Sequence, residues 1–241
     1  MNKHEKVASK KLAGKKAVVV LSGGIDSTVV LHQAVKVFQM NVIGLYIHYG
    51  SNHNKKEYAC AKRQCKLLKV PFYEITFDLT SVVKSDLLVT GNKRRLKNAE
   101  NSIVPFRNTF LLTLAAAFGD TYFRNPKELF ILIGTNNSDY AVYRDCRNVF
   151  LDSVEKTINL GSKSTDTKFI IYAPLLQLSK TEIIKLGAKL KVPFEHTWTC
   201  YKGTKRPCMQ CASCQSRSEG FKLAGLHDPL EIKTTSDILN K

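Results

Sequence analysis

Short apolar runs alternate with amphipathic ones along most of the chain, and this alternation limits the fold more than any other feature. AVVVL at Ala17–Leu21, VIGLYI at Val42–Ile47, FYEITF at Phe72–Phe77, LFILIG at Leu129–Gly134 and FIIYAP at Phe169–Pro174 are short and rich in β-branched or aromatic residues. They are apolar on both faces, as parallel strands covered by helices must be. The segments between them carry helical spacing: Val30, Leu31, Ala34 and Val37; Ala61, Cys65 and Leu68; Phe110, Leu111, Leu114, Ala115 and Phe118. Ser179 with Glu182 three residues on is a capping box that starts a helix at SKTEIIKLGAKL. The βαβα order predicts an α/β fold, an open and mostly parallel sheet with helices on both faces. GSKSTDTK at Gly161–Lys168 reads as an exposed loop. After Pro193 the composition shifts, so the expected division is a basic arm over 1–16, an α/β domain over 17–193 and a small module over 194–241.

With 241 residues, 44% of them hydrophobic and 24% charged, the chain can bury a core without disulfides. No apolar run approaches the roughly 18 residues of a membrane span. AVVVL is too short for a signal peptide and is cut off by glycines. A cytoplasmic protein without membrane association is the expectation. The formal charge of +17 attracts polyanions, but it is scattered. Only the arm at Lys3–Lys16 and GNKRRLKN at Gly91–Asn98 are dense, and both read as solvated surface. Nucleic acid is therefore not required.

SGGIDST follows the first strand directly. Adjacent glycines let backbone N–H groups approach an anion closely, and the next helix offers free N–H groups and a partial positive charge. The plainer alternative is a tight βα turn with no ligand. The loop is neither a Walker A sequence nor the dinucleotide G-x-G-x-x-G.

Four of the seven cysteines, Cys200, Cys208, Cys211 and Cys214, have the spacing C-x7-C-x2-C-x2-C. Four thiolates make a closed tetrahedral Zn²⁺ site with no open position, so the metal expected is structural, one per chain. An iron–sulfur cluster is a rival, and so is a redox C-x-x-C, although the latter leaves two cysteines unexplained. Metal binding also explains how a segment with so few apolar residues can fold.

SGGIDST resembles the SGGxDS loop of the PP-loop ATP pyrophosphatases. That resemblance implies an adenine-nucleotide alpha-hydrolase-like fold over 17–193, with ATP as cosubstrate cleaved between its α and β phosphates. Leu21, Ser22, Gly23, Gly24, Ile25, Asp26, Ser27 and Thr28 would then bind ATP, with Ser22 and Asp26 catalytic and Asp26 near Mg²⁺ or the phosphates. Further stretches, in order, resemble the 7-cyano-7-deazaguanine synthase family of the queuosine pathway. These are VPFRNTFLLTLAAAF at Val104–Phe118, GTNNSDYAVYRDCRNVF at Gly134–Phe150, APLLQLSKTEIIKLG at Ala173–Gly187, and TWTCYKG followed by CMQCASCQSRSEGF.

This resemblance implies conversion of 7-carboxy-7-deazaguanine to the 7-nitrile with ammonia and two ATP, through an adenylated acid and then an adenylated amide. Arg107 would be catalytic, meeting the carboxylate or the α-phosphate. Asn136, Asp139, Asp145 and Arg147 would bind the deazaguanine beyond the fourth strand. Three places depart from the family pattern: HYGSNH at His48–His53 where DYGQRH is usual, Arg144 for the proline of PDCR, and Met209 for a glycine in the cysteine segment. The alternatives are a PP-loop paralogue acting on another deazaguanine acceptor, a tRNA-modifying PP-loop enzyme, and a zinc-ribbon nucleic-acid binder with an inactive loop. The sequence leaves the oligomeric state open, a homodimer included.

Overall fold

The computed structural model describes residues 11–139, 142–163 and 166–231. Five parallel strands form one sheet: β1 (Lys16–Val20), β2 (Asn41–His48), β3 (Phe72–Thr76), β4 (Glu128–Leu132) and β5 (Lys168–Tyr172), in the order β3-β2-β1-β4-β5. The chain begins in the middle of the sheet. It winds outward through β2 and β3, then crosses β1 to add β4 and β5 on the other side. The switch in direction lies between β1 and β4, and the loops leaving their carboxyl ends diverge around a crevice.

Both faces of the sheet are covered at the central strands β1, β2 and β4, as their unbroken apolar runs predict, whereas edge strand β3 has no buried residue and leaves Glu74 and Thr76 exposed. Ala17, Val19 and Leu21 point into one core with α1 (Ile25–Lys36), α2 (Asn54–Leu68) and α5 (Lys180–Lys189). Val18 and Val20 point into the other, with α3 (Arg107–Phe123) and α4 (Asn148–Gly161). A final helix, α6 (Ala212–Ala224), packs on α5, where Gly220 leaves room for Lys180 and Ile184.

On α3 the buried stripe differs from the one expected. Leu112, Ala115, Ala116 and Gly119 face inward, Leu111, Leu114 and Phe118 are half-buried, and Phe110 packs elsewhere. The reason is Gly119: a Cβ there would stand 2.5 Å from Val18 Cγ2, so the helix lies closest to the sheet along its small residues. The 99–123 stretch has the length, and with a mean hydropathy of 1.2 the composition, of a membrane span. In this fold its inner face covers β1 and β4.

A third cluster joins the long connection after β3 to the C-terminal segment. Leu79, Leu87, Leu88, Leu96 and Val104 pack with Trp198, Cys200, Cys211 and Cys214. The basic GNKRRLKN stretch is thus pinned by fully buried Leu96 while its charges stay outside.

Candidate active site

The loop between β1 and α1 is shaped by two glycines and two serines. Gly23 has φ +79°, and a Cβ on it would stand 2.3 Å from the Glu57 carbonyl oxygen of α2. Only glycine fits on both counts. Ser27 Oγ accepts from the Ser22 amide at 3.2 Å and lies 3.0 Å from Ser22 Oγ, while Ser22 Oγ accepts from the Gly24 amide at 3.2 Å. No side chain caps the start of α1, so its first-turn N–H groups remain available to an anion. Leu21 and Thr28 are buried behind the turn.

Three other parts of the chain close around this loop. Gly134, after β4, lies so close that a Cβ would meet the Ser27 amide nitrogen at 2.8 Å. The Trp198 amide donates to the Gly23 carbonyl at 2.9 Å, tying the C-terminal segment to the loop. Lys180, first residue of α5, reaches both carboxylate oxygens of Asp26 at 2.6 Å. The Ser179–Glu182 capping box fixes where that helix begins, as the sequence predicts.

The result is a cavity of about 210 Å³ over the β1/β4 switch. Ser22, Gly24, Ile25, Asp26, Ser27 and Arg107 line it; Asn136, Asp145 and Arg147 do not. Asn136 is fully buried, and its Oδ1 accepts from the Ser138 amide at 2.9 Å. Arg147 caps α4. The side chain of Asp139, at the end of a 3₁₀ turn, lies outside the described residues.

Arg107 opens α3 after Phe106, which takes a left-handed φ of +59°. A cation at a helix N-terminus opposes the dipole. Burial also works against the charge, but Tyr49 and then Asp145 more than offset it, so the guanidinium is held charged. Burial pushes the phenols of Tyr49 and Tyr201 above their usual range. Neighbouring Asn108 donates to the Asp145 carbonyl at 3.1 Å and joins α3 to the turn before α4.

The cavity also contains groups that the sequence reading did not single out: Lys180, Tyr49, His53, Glu57 and Arg217. Lys180, Arg217, Tyr49 and His53 all lie inside quoted motif stretches, which was the available signal. Arg217 is 3% exposed and spends its donors on Asp228, Thr197 Oγ1 and the Phe194 carbonyl, so it braces the wall. Of the HYGSNH departure, Tyr49 and His53 line the cavity, whereas His48 turns away to Asn54 Oδ1 (3.0 Å) and Glu74 Oε2 (2.8 Å).

The four cysteines meet beside this cavity, their Sγ atoms all within 4.8 Å of one another. A tetrahedral ion with sulfur bonds of about 2.3 Å needs them about 3.8 Å apart, and Cys208 and Cys214 stand at 4.0 Å. The Cys208 and Cys211 amides donate to Cys200 Sγ and Cys208 Sγ, each at 3.3 Å. Hydrogen bonds from Cys211 and Cys214 hold Cys200 far below the usual thiol range, and the bond to Cys200 pushes Cys214 far above it. A cation would remove that inequality by taking all four as thiolates. The donor set fits one tetrahedral metal ion.

A family model described as Queuosine biosynthesis protein QueC matches residues 16–225. Curated relatives named 7-cyano-7-deazaguanine synthase include one from Thermoplasma volcanium, 40% identical over 235 residues that cover 94% of this chain and 95% of its own. Another, from Clostridium kluyveri, is 40% identical over 228 residues covering 91% and 98%. Among solved structures, the U34-tRNA thiolase NcsA from Methanococcus maripaludis aligns with a TM-score of 0.50 at 16% identity, covering 92% of this chain and 71% of that one. At that identity the likeness is one of fold.

Proposed function

The chain belongs to the QueC family of queuosine biosynthesis proteins, and from that premise we propose that its cavity turns 7-carboxy-7-deazaguanine, ammonia and ATP into 7-cyano-7-deazaguanine. The fold is of the PP-loop type, and the protein is a queuosine-biosynthesis enzyme. One observation carries the mechanistic reading: the Ser22–Ser27 turn, the Asp26–Lys180 pair and Arg107 line a single cavity.

A carboxylate is a poor electrophile, so it is first converted to an acyl adenylate with release of pyrophosphate. Ammonia attacks the acyl carbon, a C–N bond forms, and AMP leaves with one carboxylate oxygen. The amide oxygen then attacks a second ATP, and loss of two N–H protons expels AMP and leaves the nitrile. Both carboxylate oxygens therefore depart on AMP, and one site serves both rounds because each sets an acyl-type oxygen against an α-phosphate.

In this reading the Ser22, Gly23, Gly24 and Ser27 turn holds the departing pyrophosphate, with Leu21 and Thr28 shaping it from behind. Lys180 and the uncapped start of α1 add positive charge where negative charge develops. Arg107 holds the carboxylate or the α-phosphate. Asn136, Asp139, Asp145 and Arg147 shape the deazaguanine end through the loop after β4. Asp26 is the carboxylate that would hold a Mg²⁺ accompanying ATP, which when bound would add further neutralisation of the phosphates. Zn²⁺ is the ion proposed for Cys200, Cys208, Cys211 and Cys214, with a structural role. The segment 194–241 is proposed as the zinc-binding part and 17–193 as the PP-loop domain. A cytoplasmic location is in keeping with small-molecule biosynthesis.

The test is incubation with ATP, ammonium and acid labelled with heavy oxygen in its carboxylate, followed by mass spectrometry. The expected products are the nitrile and two AMP per nitrile, each AMP carrying one heavy oxygen. ADP as the main nucleotide, or the amide as the end product, overturns the reading.

A further inference from the structure

We propose that Glu57 selects the base, its carboxylate accepting from the ring N–H and the 2-amino group of the guanine-type edge while Arg107 meets the 7-carboxylate. The inference rests on the functional reading above and names the residue that decides which bicyclic acid the cavity takes.

Among the described residues, two carboxylates belong to the lining of the cavity, Asp26 and Glu57. Asp26 sits on the Ser22–Ser27 turn and is engaged by Lys180 Nζ, 2.6 Å from both of its oxygens. Glu57 has no lysine or arginine on it among the described residues. Its Oε1 stands 3.2 Å from His53 Nε2, and its side chain keeps 11% of its surface accessible. Oε2 accepts no hydrogen bond among the described residues, yet it is not a sealed atom as Thr135 Oγ1 is. The open part of the side chain therefore opens on the cavity. The first turn of α2 fixes its place: the Glu57 carbonyl packs against Gly23, and helical side chains lean toward the helix start, here toward His53. Tyr49 is near both ends of the arrangement, since burial raises its phenol most, Arg107 then lowers it and Glu57 raises it.

The substrate has the matching polarity. It is a planar bicycle with an anionic carboxylate on the five-membered ring and two adjacent N–H donors on the far edge of the six-membered ring. An ionised carboxylate can only accept, and two parallel N–H groups suit its two oxygens. Arg107 can only donate, and it suits the other end. The pair thus fixes which end of the bicycle lies at the α-phosphate. Burial sharpens the choice. Glu57 is 8% exposed, so a base that lacks the donors leaves a desolvated charge without a partner. A base with a carbonyl at the same position sets a second acceptor against the carboxylate and is repelled.

The test compares two acids on full-length, metal-loaded protein. The kcat/KM for AMP release is measured with ATP, ammonium and either 7-carboxy-7-deazaguanine or its analogue without the 2-amino group. Wild type is expected to favour the amino compound by about 10–100-fold, the scale of a two-point contact to a base edge. Glu57→Gln turns one acceptor into a donor, and the preference is expected to shrink to within about threefold, chiefly by slower turnover of the amino compound. An equal loss with both acids is the mark of a structural or metal-holding carboxylate and overturns the proposal. So does an unchanged preference in the variant, which would place the base reader elsewhere, or equal kcat/KM for the two acids in wild type. Should Glu57→Gln melt early, Glu57→Asp keeps the charge beside His53 but withdraws it by one methylene. Its preference is expected to fall as well, and an undiminished one overturns the proposal. Wild type that releases no AMP with the amino compound removes the functional reading itself, whereas release without preference removes this inference alone.

Discussion

Lys180 Nζ stands 2.6 Å from both carboxylate oxygens of Asp26, joining two helix starts that lie 154 residues apart in sequence. Asp26 complements the dipole at the start of α1, whereas Lys180 opposes the one at the start of α5. The lysine is held there by the carboxylate, at the rim of the Ser22–Ser27 turn.

Asp26→Asn is expected to lower AMP release by on the order of 100-fold, as loss of a preorganised charge contact does. Lys180→Met is expected to raise the KM for ATP by roughly tenfold through loss of phosphate contact. The pair is partly exposed, so neither variant should shift the melting temperature by more than about 2–4 °C. Near wild-type AMP release from Asp26→Asn would remove that residue from the phosphate site.

Arg107→Ala should raise the KM for the acid, lower kcat, or do both, at little cost to folding. The guanidinium opens a helix where a cation is unfavourable, and its value lies in an anion it meets. Steady-state kinetics within error of wild type would return Arg107 to a purely structural role beside Tyr49.

One zinc per chain is expected by elemental analysis, falling well below one in Cys211→Ser. With four sulfurs around the ion no water is activated on it. Activity should then fall roughly with the folded fraction, except as far as the Trp198–Gly23 contact couples the cysteine segment to the cavity. Iron and acid-labile sulfide in the native protein would replace zinc by a cluster.

Met209 sits between Cys208 and Cys211 with φ +54°, a left-handed conformation that costs a residue with a side chain about 1 kcal/mol or more. Its side chain is exposed, so little packing is lost on removal. Met209→Gly is expected to raise stability by about 0.5–1 kcal/mol after the entropy that glycine adds to the unfolded chain. Urea unfolding of the metal-loaded protein is the measurement, and a lower midpoint would contradict it.

His32 gives the fold a dependence on pH. It is 2% exposed, its Nε2 is 3.0 Å from Gln64 Oε1, and burial lowers its pKa from 6.5 to about 4. Between those values the unfolded chain binds the proton and the folded chain does not, so stability rises with pH there. The contribution is complete above about pH 6.5 and declines as pH falls toward 4, by on the order of 3 kcal/mol. His32→Gln should flatten that part of the profile in urea titrations at pH 7 and pH 4.5. An unchanged slope would assign it to other groups.

The elements were legible in the sequence because their causes are local. Ala17–Val20 alternates between two cores and so must be apolar at every step, and Ser179 meets Glu182 within a single turn. SGGIDST and the C-x7-C-x2-C-x2-C spacing are likewise each readable within one short stretch of chain. The position of the buried stripe on α3 was not legible, because it depends on Gly119 meeting Val18 across the core.

Sequence by itself determined the strands, the glycine turn and a four-cysteine donor set that could hold a metal ion, since backbone sterics, burial on two faces and cysteine spacing act over short stretches of chain. The tertiary structure alone decided which strand lies beside which, and with it the company each side chain keeps. Placing β4 next to β1 brings Gly134 against Ser27, and the path of α5 carries Lys180 to Asp26. The fold of α2 behind the turn leaves His53 buried on the wall, its Nδ1 without a hydrogen-bond partner among the described residues. These are contacts between distant segments. Their energies depend on the packing of the whole sheet rather than on any local pattern, so no window of sequence contains them.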